Sequence, residues 1–302
     1  MHAIILADRP SGDLHPLVST CSIAMLPIGN KPLISITLEE LHGVGIRSAT
    51  ILANMNQTNV KKYIGYGSRW GMKVDYAENE NPIQLLERFS INCPQLLKDC
   101  VVVRGDILRP FGLLEEALLR RESQDTADIY TALGISLISA KQPDFSAISW
   151  EVVQKTCRLH PCLVESLAAY HDANMMSLNG LVPGVRMAGR PTPDQMVVGY
   201  GSVIRSTRAP SKRVVIGNNC LVEAGVELGA NTVIGNDSII DKGTSIVNSV
   251  VLPGSYIGRG VVVADAIVKG NLIYSVKSGV TVQINDSRIL ASIEQETWRQ
   301  AV

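Results

Sequence analysis

The second half of the chain carries an aliphatic residue at every sixth position without interruption. These residues are Ile216, Val222, Leu228, Ile234, Ile240 and Ile246. The fourth position after each of them is small or β-branched: Cys220, Val226, Thr232, Ser238, Thr244 and Val250. Six residues make a short strand and a corner, about 20 Å of extended chain at ~3.3 Å per residue, so three such units close one triangular coil. The period therefore predicts a parallel β-helix of hexapeptide repeats, with both sets of side chains inside the prism.

The six-residue period changes phase twice towards the C-terminus. It shifts by one residue at Val251 and shifts again near Val268. Because aliphatic residues continue through Ile284, each shift predicts an irregular corner within the coils and not their end. We therefore expect the β-helix over residues 196–286. An open coil end exposes unpaired backbone, and a C-terminal helix over 287–302 is predicted to cover it.

The first half has a different pattern, in which apolar runs of strand length alternate with amphipathic stretches. Strands are predicted over His2 to Ala7, Ala49 to Asn54, Met72 to Ala77 and Cys100 to Arg104. Helices are predicted over Leu33 to Val44, Gln57 to Ile64, Ile83 to Phe89 and Phe111 to Glu122. This alternation predicts an α/β domain over residues 1–150, built on a parallel sheet that binds ligands at the carboxyl ends of its strands. Candidate site residues therefore follow Ala7, Ala77 and Arg104.

Composition and charge narrow the classes of partner. The 302 residues include 28 basic and 28 acidic side chains, so no global charge favours nucleic acid or an anionic membrane surface. No apolar run is long enough to span a bilayer, and the first seven residues lack the basic start of a signal peptide. We therefore expect a cytoplasmic protein of two domains that binds neither nucleic acid nor membrane.

Four potential metal ligands lie close together in the region 151–195. They are Cys157, His160, Cys162 and His171. Their spacing lacks the paired Cys-x-x-Cys knuckles of zinc sites. The apolar residues after Pro161 indicate a short amphipathic helix that begins at that proline. We therefore favour a linker helix and loop over 151–195 and not a metal site.

The first strands and the loops after them carry a specific combination of motifs. Ala3-Ile-Ile-Leu-Ala7 precedes Met25-Leu-Pro-Ile-Gly-Asn-Lys-Pro-Leu-Ile34, and Val102-Val-Arg-Gly-Asp-Ile-Leu108 ends the fourth strand. Together they resemble the sugar-1-phosphate nucleotidyltransferases, also called NDP-sugar pyrophosphorylases. The resemblance implies a Rossmann-like domain, shortened here in its sugar-binding half, followed by a left-handed parallel β-helix. It also implies a reaction in which a sugar-1-phosphate attacks a nucleoside triphosphate with Mg²⁺.

The resemblance places a ligand pocket at residues that depart from the family's pattern, so the chain resembles a degenerate member. The glycine-rich phosphate loop corresponds to Ala7-Asp-Arg-Pro-Ser-Gly-Asp13, where two aspartates bring negative charge to the place of the phosphates. Ser22-Ile23 stands at a Pro-Lys pair whose lysine contacts phosphate, and Gln84-Leu-Leu-Glu87 replaces a Gly-Thr-Ala-Gly element. The implied pocket residues are Ala7, Ser11, Gly12, Asp13, Gln84 and Gly105, with Asp106 as the candidate metal ligand.

Three functions follow from these observations. The favoured one is a nucleotidyltransferase-like protein of nucleotide-sugar or polysaccharide biosynthesis, with lost or reduced catalysis and a regulatory or scaffolding role. The alternative is an active NDP-sugar pyrophosphorylase that uses Mg²⁺. The third function is a hexapeptide acyltransferase, which needs a histidine near the coils. All five histidines precede residue 172, so the β-helix contains none and this function is disfavoured. The expected partners are a nucleotide-sugar or sugar phosphate, and a second copy of the chain or an active paralogue.

Overall fold

A computed structural model describes residues 1–7, 14–15, 22–53, 57–77, 100–119, 134–138, 162–194, 196–205 and 213–293. The chain divides into two compact units. The first unit contains Met1–Leu26 and Pro32–Val164, and the second contains Pro27–Lys31 and Glu165–Val302. A short segment of the first half of the sequence, residues 27–31, thus packs within the second unit.

The first 164 residues contain strands and helices in alternation. The strands are β1 (His2–Leu6), β2 (Pro27–Ile28), β3 (Lys31–Pro32), β4 (Ser48–Leu52), β5 (Lys73–Ala77), β6 (Cys100–Arg104), β7 (Ile107–Leu108), β8 (Ile135–Ile138) and β9 (Cys162–Leu163). The helices are α1 (Leu33–Gly43), α2 (Gln57–Ile64) and α3 (Leu113–Leu119), with 3₁₀ turns at Ile23–Met25 and Ser68–Trp70. The four predicted strands and three of the four predicted helices are confirmed within a few residues. The helix predicted from Ile83 to Phe89 lies outside the described residues.

The sheet of the first unit has the strand order β5-β4-β1-β6-β8. Its first four strands are parallel, and β8 pairs antiparallel with β6. Every residue of β1 and β6 is buried, which is typical of central strands covered on both faces. This sheet confirms the predicted Rossmann-like α/β domain and brings the carboxyl ends of β1 and β6 next to each other.

The second unit is built largely from short strands. After helix α4 (Leu167–Leu178) the strands are β10 (Arg190–Pro191), β11 (Met196–Val198), β12 (Val203–Ile204), β13 (Val214–Ile216), β14 (Leu221–Val222), β15 (Glu227–Leu228), β16 (Thr232–Ile234), β17 (Ile239–Ile240), β18 (Ser245–Val247), β19 (Ser249–Val251), β20 (Ser255–Ile257), β21 (Val262–Ala264), β22 (Ala266–Lys269), β23 (Leu272–Ser275), β24 (Val280–Gln283) and β25 (Leu290–Ser292). No helix among the described residues is both long enough and apolar enough to cross a bilayer.

Parallel pairing between successive turns of the chain forms three sheets and confirms the β-helix. Ile216 pairs with Ile234, Val222 with Ile240 and Leu228 with Ile246, in each case 18 residues along the chain. All six aliphatic residues of the six-residue period are buried in one core cluster. Each strand therefore contributes one buried aliphatic residue to the interior of the stacked coils, as the sequence pattern predicts.

The coils shorten by one residue at the first phase shift. Ile234 pairs with Val251, 17 residues along the chain, and the same offset continues in the next coil. Asn231, Asn248 and Asp265 stack at this corner with positive φ angles, which asparagine and aspartate tolerate better than other residues with side chains. The Asn248 Nδ2 donates to Asp265 Oδ1 over 2.6 Å. A residue in the left-handed conformation therefore forms this corner in each of the three coils.

The shortened corner changes one interior position that the sequence analysis assigned. Val250 pairs with Val233, which does not belong to the core cluster inside the coils. Ser249 pairs with the interior residue Thr232. The interior position thus belongs to Ser249, and the assignment of Val250 was wrong because the shift occurs before it. Interior hydroxyls bind corner carbonyls, as in the Thr232 bond to Gly229 (2.8 Å). A small residue with a hydroxyl satisfies a buried backbone oxygen where the chain turns.

The second phase shift ends the parallel coils, in contrast to our prediction of another irregular corner. From Lys269 the chain turns back, and β22, β23 and β24 pair antiparallel. The helix predicted over 287–302 is also wrong in its first part, because β25 pairs antiparallel with β20. Residues 294–302 lie outside the described range. Apolar residues continue past residue 268 in these antiparallel strands, where Ile273 and Ile284 are partly buried against the coil core and Val280 and Val282 are exposed.

The region before the coils also differs from its prediction. Cys162 and Leu163 form the strand β9, whereas we expected a helix from Pro161. Helix α4 begins at Leu167, because the Ser166 hydroxyl caps it by accepting a hydrogen bond from the Ala169 amide (3.1 Å). A serine cap satisfies one of the free amides at a helix start.

Candidate functional site

The carboxyl ends of β1 and β6 form the edge at which the sequence places a ligand. Leu6 pairs with Arg104, and the Gly105 amide donates to the Leu6 carbonyl over 2.8 Å. Ala7, Gly105 and Asp106 therefore lie together at this edge. The other implied pocket residues, Ser11, Gly12, Asp13 and Gln84, lie outside the described residues.

Gly105 has a packing reason to be glycine. A Cβ atom at this position would approach Ile5 Cγ2 to 3.1 Å and the Leu6 carbonyl oxygen to 3.4 Å. The first distance is short for a carbon atom, so a side chain at position 105 would require the neighbouring Ile5 side chain to shift. The glycine thus permits the close approach of the two strands that carry the edge.

Ser22 and Ile23 fill the space beyond β1. The Ser22 hydroxyl donates to the Ala7 carbonyl over 2.7 Å and accepts a hydrogen bond from the Ala24 amide. Ile23 is only 2% exposed. The resemblance places a phosphate-contacting lysine at this pair, but here the pair contributes a buried hydrogen bond and an apolar side chain. No cation reaches the end of β1 from Ser22 or Ile23.

The carboxylate of Asp106 forms a two-point ion pair with Arg104. Arg104 Nε donates to Asp106 Oδ1 over 3.0 Å, and Nη2 donates to Oδ2 over 2.8 Å. The side chains are 5% and 1% exposed. Paired N–H groups of a guanidinium match the two oxygens of a carboxylate, so this is a strong and directional interaction.

The residues at this edge do not fit the Mg²⁺ ion that the resemblance implies. Magnesium prefers oxygen ligands, and both oxygens of Asp106 already accept hydrogen bonds from a guanidinium. Within the part of the chain that the structure describes, no three His, Cys, Asp or Glu side chains form a group that could hold a metal. The carboxylate that the resemblance assigns to Mg²⁺, Asp106, is therefore already paired with Arg104.

A second buried ion pair adjoins the first. Arg109 Nη1 donates to the Arg104 carbonyl over 2.8 Å. Its Nε and Nη2 donate to Glu40 Oε2 over 3.2 and 3.1 Å, while Glu40 Oε1 has no hydrogen-bond partner among the described residues. Through these bonds Arg109, just after β7, connects Glu40 of α1 to Arg104 at the end of β6. Sequence reasoning missed this network, although a charged residue ending the buried apolar strand β6 signals that a partner must exist.

The best preserved motif of the resemblance has structural contacts within the second unit. The Gly29 amide donates to Asn174 Oδ1 (3.0 Å), the Tyr170 hydroxyl donates to the Pro27 carbonyl (2.6 Å), and Asn30 Nδ2 donates to the Ile234 carbonyl (2.8 Å). Gly29 has a φ of 52°, and a Cβ atom there would collide with the Met187 sulfur. Packing against α4 and a coil is therefore sufficient to explain this motif.

The Cys and His group of the region 151–195 does not form a site in the described residues. Cys162 lies on β9, and His171 Nε2 donates to the Asn248 carbonyl over 2.8 Å on the β-helix. Cys157 and His160 lie outside the described residues. The hydrogen bond of His171 gives it a role in positioning α4.

The first half of the chain matches a known protein family. The family described as "Nucleotidyl transferase" matches residues 2–154, just over half of the chain. A "Glucose-1-phosphate thymidylyltransferase" of Streptomyces griseus is 28% identical over 108 residues, which cover 36% of this chain and 27% of that protein. A protein of the same name from Mycolicibacterium smegmatis is 29% identical over 169 residues, 53% of this chain and 58% of that protein.

A third relative is the "Low-salt glycan biosynthesis nucleotidyltransferase Agl11" of Haloferax volcanii. It is 24% identical over 147 residues, 47% of this chain and 39% of that protein. The chain thus spans between about a quarter and about three fifths of the length of these three relatives. The parallel sheet, the order of the motifs and the match over residues 2–154 agree: this chain belongs to the nucleotidyl transferase family.

Proposed function

We propose that the protein acts in nucleotide-sugar or polysaccharide biosynthesis with lost or strongly reduced nucleotidyl transfer, in a regulatory or scaffolding role. The relatives are named for glucose-1-phosphate thymidylyl transfer and glycan biosynthesis, which supports the pathway class. The observation that carries the loss of turnover is the closed end of β1. Ser22 binds the Ala7 carbonyl and Ile23 is buried, where the resemblance implies a lysine for phosphate.

Charge at the same edge supports the proposal. Transfer of a nucleotidyl group depends on positioning and on cations that offset the charge of the phosphates. The resemblance places the phosphates at the sequence after β1, which supplies Asp8 and Asp13, and like charges repel. The guanidinium of Arg104 is already paired with Asp106. These two acidic residues and the absence of a free guanidinium at Arg104 therefore disfavour a triphosphate.

Calorimetric titration and pyrophosphate exchange test the proposal. The purified protein is titrated with ATP, GTP, UTP and dTTP, with and without Mg²⁺, and exchange is assayed with common sugar-1-phosphates. The thymidylyltransferase of Mycolicibacterium smegmatis, prepared in parallel, serves as the positive control. We expect neither saturable binding at micromolar triphosphate nor exchange above the enzyme-free background. Micromolar binding accompanied by turnover would contradict the loss of catalysis.

An active NDP-sugar pyrophosphorylase is the second candidate. The Gly105-Asp106 pair favours it, because these residues remain at the carboxyl edge of β6. The names of the relatives indicate dTTP and glucose-1-phosphate as the first pair to assay. Exchange with this pair alone would support the enzyme, and it would also name the base and the sugar.

We also propose that the protein self-associates through one face of the β-helix. Four outward residues are in register across β12, β14, β17 and β20: Val203, Leu221, Ile239 and Tyr256. They are exposed or half-buried and form an apolar column on a flat sheet. Flat apolar columns of this kind suit contact with a second copy.

Light scattering after size exclusion tests self-association at micromolar concentration. We expect an oligomer that Val203→Glu weakens. Val262→Glu is the matched control, because Val262 is an exposed valine on a different sheet of the same β-helix. A single monomer peak for the wild type would refute self-association, and equal effects of the two variants would refute the assignment of the face.

A further inference from the structure

Strand β24 forms one edge of the eight-stranded sheet of the β-helix. The strand order of this sheet ends at β24, and no other strand among the described residues pairs with its outer side. We propose that β24 pairs antiparallel with β24 of a second copy of this chain, about a two-fold axis at Val282. This contact lies at the end of the sheet, apart from the column that begins at Val203, and it is argued independently of that column.

The two edges of this sheet differ in sequence. The edge strand β10 consists of Arg190 and Pro191, and a charge and a proline are the features that protect an edge from pairing. The edge strand β24 reads Val-Thr-Val-Gln and contains neither. An uncharged strand rich in β-branched residues is a template for a further strand. Of these two edges, β24 is therefore the one suited to pairing.

The inward face of the sheet continues past the last parallel coil and becomes uncovered at β24. Val268 of the coil core pairs with Ile273, and Ile273 pairs with Val282. Because directly opposite residues share one face of a sheet, these three side chains form one apolar column. Val268 is fully buried, whereas Val282 is 47% exposed and Val280, on the same face of β24, is 52% exposed. A second β24 strand would extend this face and cover part of it.

The backbone of β24 has hydrogen-bonding groups directed at the open edge. The Ile284 amide donates to the Asn271 carbonyl over 2.8 Å, on the side of β23. Since backbone groups alternate in direction along a strand, Val282 also bonds towards β23. The intervening residues Thr281 and Gln283 therefore direct their N–H and C=O groups away from β23. An added antiparallel strand would satisfy these groups.

A two-fold axis at Val282 gives a self-complementary register. Val282 then lies opposite Val282 of the second copy in a pair without direct hydrogen bonds. Thr281 exchanges both of its backbone hydrogen bonds with Gln283 of the second copy, and the symmetry repeats this exchange. On the inward face, the exposed Val280 meets Ile284 of the second copy. Every outward backbone group of the strand is thus paired, and the uncovered valines meet apolar side chains.

The neighbouring two-fold registers fit the sequence less well. An axis at Thr281 would require Gly279 to pair, but Gly279 has a φ of 68°, which is not the conformation of a strand. An axis at Gln283 would place the exposed Val280 opposite the charged Asp286. The register at Val282 avoids both problems, because its paired residues are extended and uncharged.

The charges that flank β24 also suit a second copy. No charged residue lies between Lys277 and Asp286, so the paired segments bring no like charges together. In the register at Val282, Ser278 falls opposite Asp286 of the second copy, and Lys277 comes beside that carboxylate. Asp286 also forms an exposed pair with Arg288. This flanking contact therefore contributes to the alignment of the strands more than to affinity.

Cysteine cross-linking of the full-length protein tests the contact and its register. Opposite residues of an antiparallel pair without direct hydrogen bonds have Cα atoms about 4.5 Å apart, within the range of a disulfide. Val280→Cys is the matched control, because Val280 faces Ile284 and its own counterpart lies about 13 Å along the strand, four residues at ~3.3 Å each. Under mild oxidation we expect at least about ten-fold more covalent dimer from Val282→Cys than from Val280→Cys. The wild type measures the background of the native cysteines.

A proline at position 281 tests the backbone pairing. The Thr281 amide faces the open edge, so a proline there is compatible with the pairing to β23 but removes a donor that the added strand needs. In the Val282→Cys background, Thr281→Pro should abolish the covalent dimer. Thr281→Ala, which keeps the amide, should retain it. Circular dichroism verifies that each variant is folded.

Three results would overturn the proposal. Equal cross-linking of Val280→Cys and Val282→Cys would mean that the copies meet without this register. A Val282→Cys protein that stays monomeric would mean that β24 does not pair with its copy. A dimer that forms only after removal of residues 294–302 would assign the edge to that segment of the same chain. The comparison of the two cysteine variants decides the matter even if Thr281→Pro does not fold.

The contact at β24 and the association through the column fail by different variants. Val203→Glu should leave the disulfide at Val282→Cys intact, because Val203 lies on a different sheet. Loss of that disulfide in Val203→Glu would show that the two copies meet through the column alone, and it would refute pairing at β24.

Discussion

Separate removal of the two charges of the Glu40–Arg109 pair should destabilise the first unit far more than their joint removal. The perturbations are Glu40→Leu, Arg109→Met and the double substitution. Glu40 and Arg109 side chains are 3% and 1% exposed, and both guanidinium bonds go to Oε2. Either single change leaves a buried charge without its partner. The double change leaves apolar side chains of similar volume.

The magnitude follows from the burial of the pair. Removing one partner of a buried ion pair costs about 3–5 kcal/mol, because the remaining charge stays desolvated. Replacing both partners is often close to neutral, but here the Arg104 carbonyl also loses its bond from Arg109 Nη1, at a cost of about 1–3 kcal/mol. We therefore expect two single effects of about 3–5 kcal/mol, a double effect of about 2 kcal/mol, and a coupling energy of at least ~4 kcal/mol.

Urea unfolding followed by tryptophan fluorescence provides the assay. The chain has three tryptophans, and Trp70 lies in the core of the first unit. A background with Trp150→Phe and Trp298→Phe makes Trp70 the single reporter. The exposed pair Lys73–Asp75, on β5 of the same unit, is the control, with Lys73→Met and Asp75→Leu in an identical cycle. Exposed pairs couple by about 1 kcal/mol or less.

If the free-energy effects of Glu40→Leu and Arg109→Met simply add in the double variant, with no coupling energy, this reasoning is refuted. So would single effects below about 1 kcal/mol, since they would mean that water reaches the charges despite the burial seen here. A large coupling at the exposed pair Lys73–Asp75 would show that the cycle reports the unfolded state and not the buried geometry.

Three further predictions concern packing, an interior hydroxyl and pH. Gly217→Ala should lower the free energy of unfolding by about 1–3 kcal/mol, because a Cβ atom would meet the backbone of the next coil at 2.5 Å. Gly43→Ala in α1 should be neutral or stabilising, because no atom lies within 4 Å of the added Cβ, and the urea midpoints of the two variants test this difference. Thr244→Val should cost about 1–3 kcal/mol in the same assay, because its hydroxyl donates to the Gly258 carbonyl over 2.6 Å and that buried oxygen would lose its donor. Burial lowers the pKa of His2 below its ordinary value of 6.5, so the unfolded chain binds the proton first and stability should fall as pH drops below about 6.5. His2→Asn should flatten that part of the stability curve measured between pH 7 and pH 5, and an unchanged slope would contradict the assignment to His2.

The periodic features of this chain follow from its sequence. Strands β1 and β6 are mostly apolar because both faces of a central parallel strand are buried. The coil residues from Ile216 to Ile246 recur every six positions because each coil repeats the same burial. Burial of this kind is a property of successive residues, so a pattern along the chain records it. The family resemblance located Ala7, Gly105 and Asp106 at one edge of the sheet for the same reason, because parallel strands end together.

The tertiary structure decided which residues pair with the buried charges and where the parallel coils end. Hydrophobic spacing could not distinguish an irregular corner from the antiparallel turn after Lys269, because apolar residues recur at similar intervals in both. It could not place Ser249 inside the coil ahead of Val250, since the pairing register depends on the neighbouring coil. The pairing of Arg109 with Glu40, which lies on another element, and the alignment of the Arg104 guanidinium with Asp106 depend on how the chain brings charges together in space. Sequence spacing records which face of an element is buried, whereas the partner of a buried charge is set by distances that exist only in the folded chain.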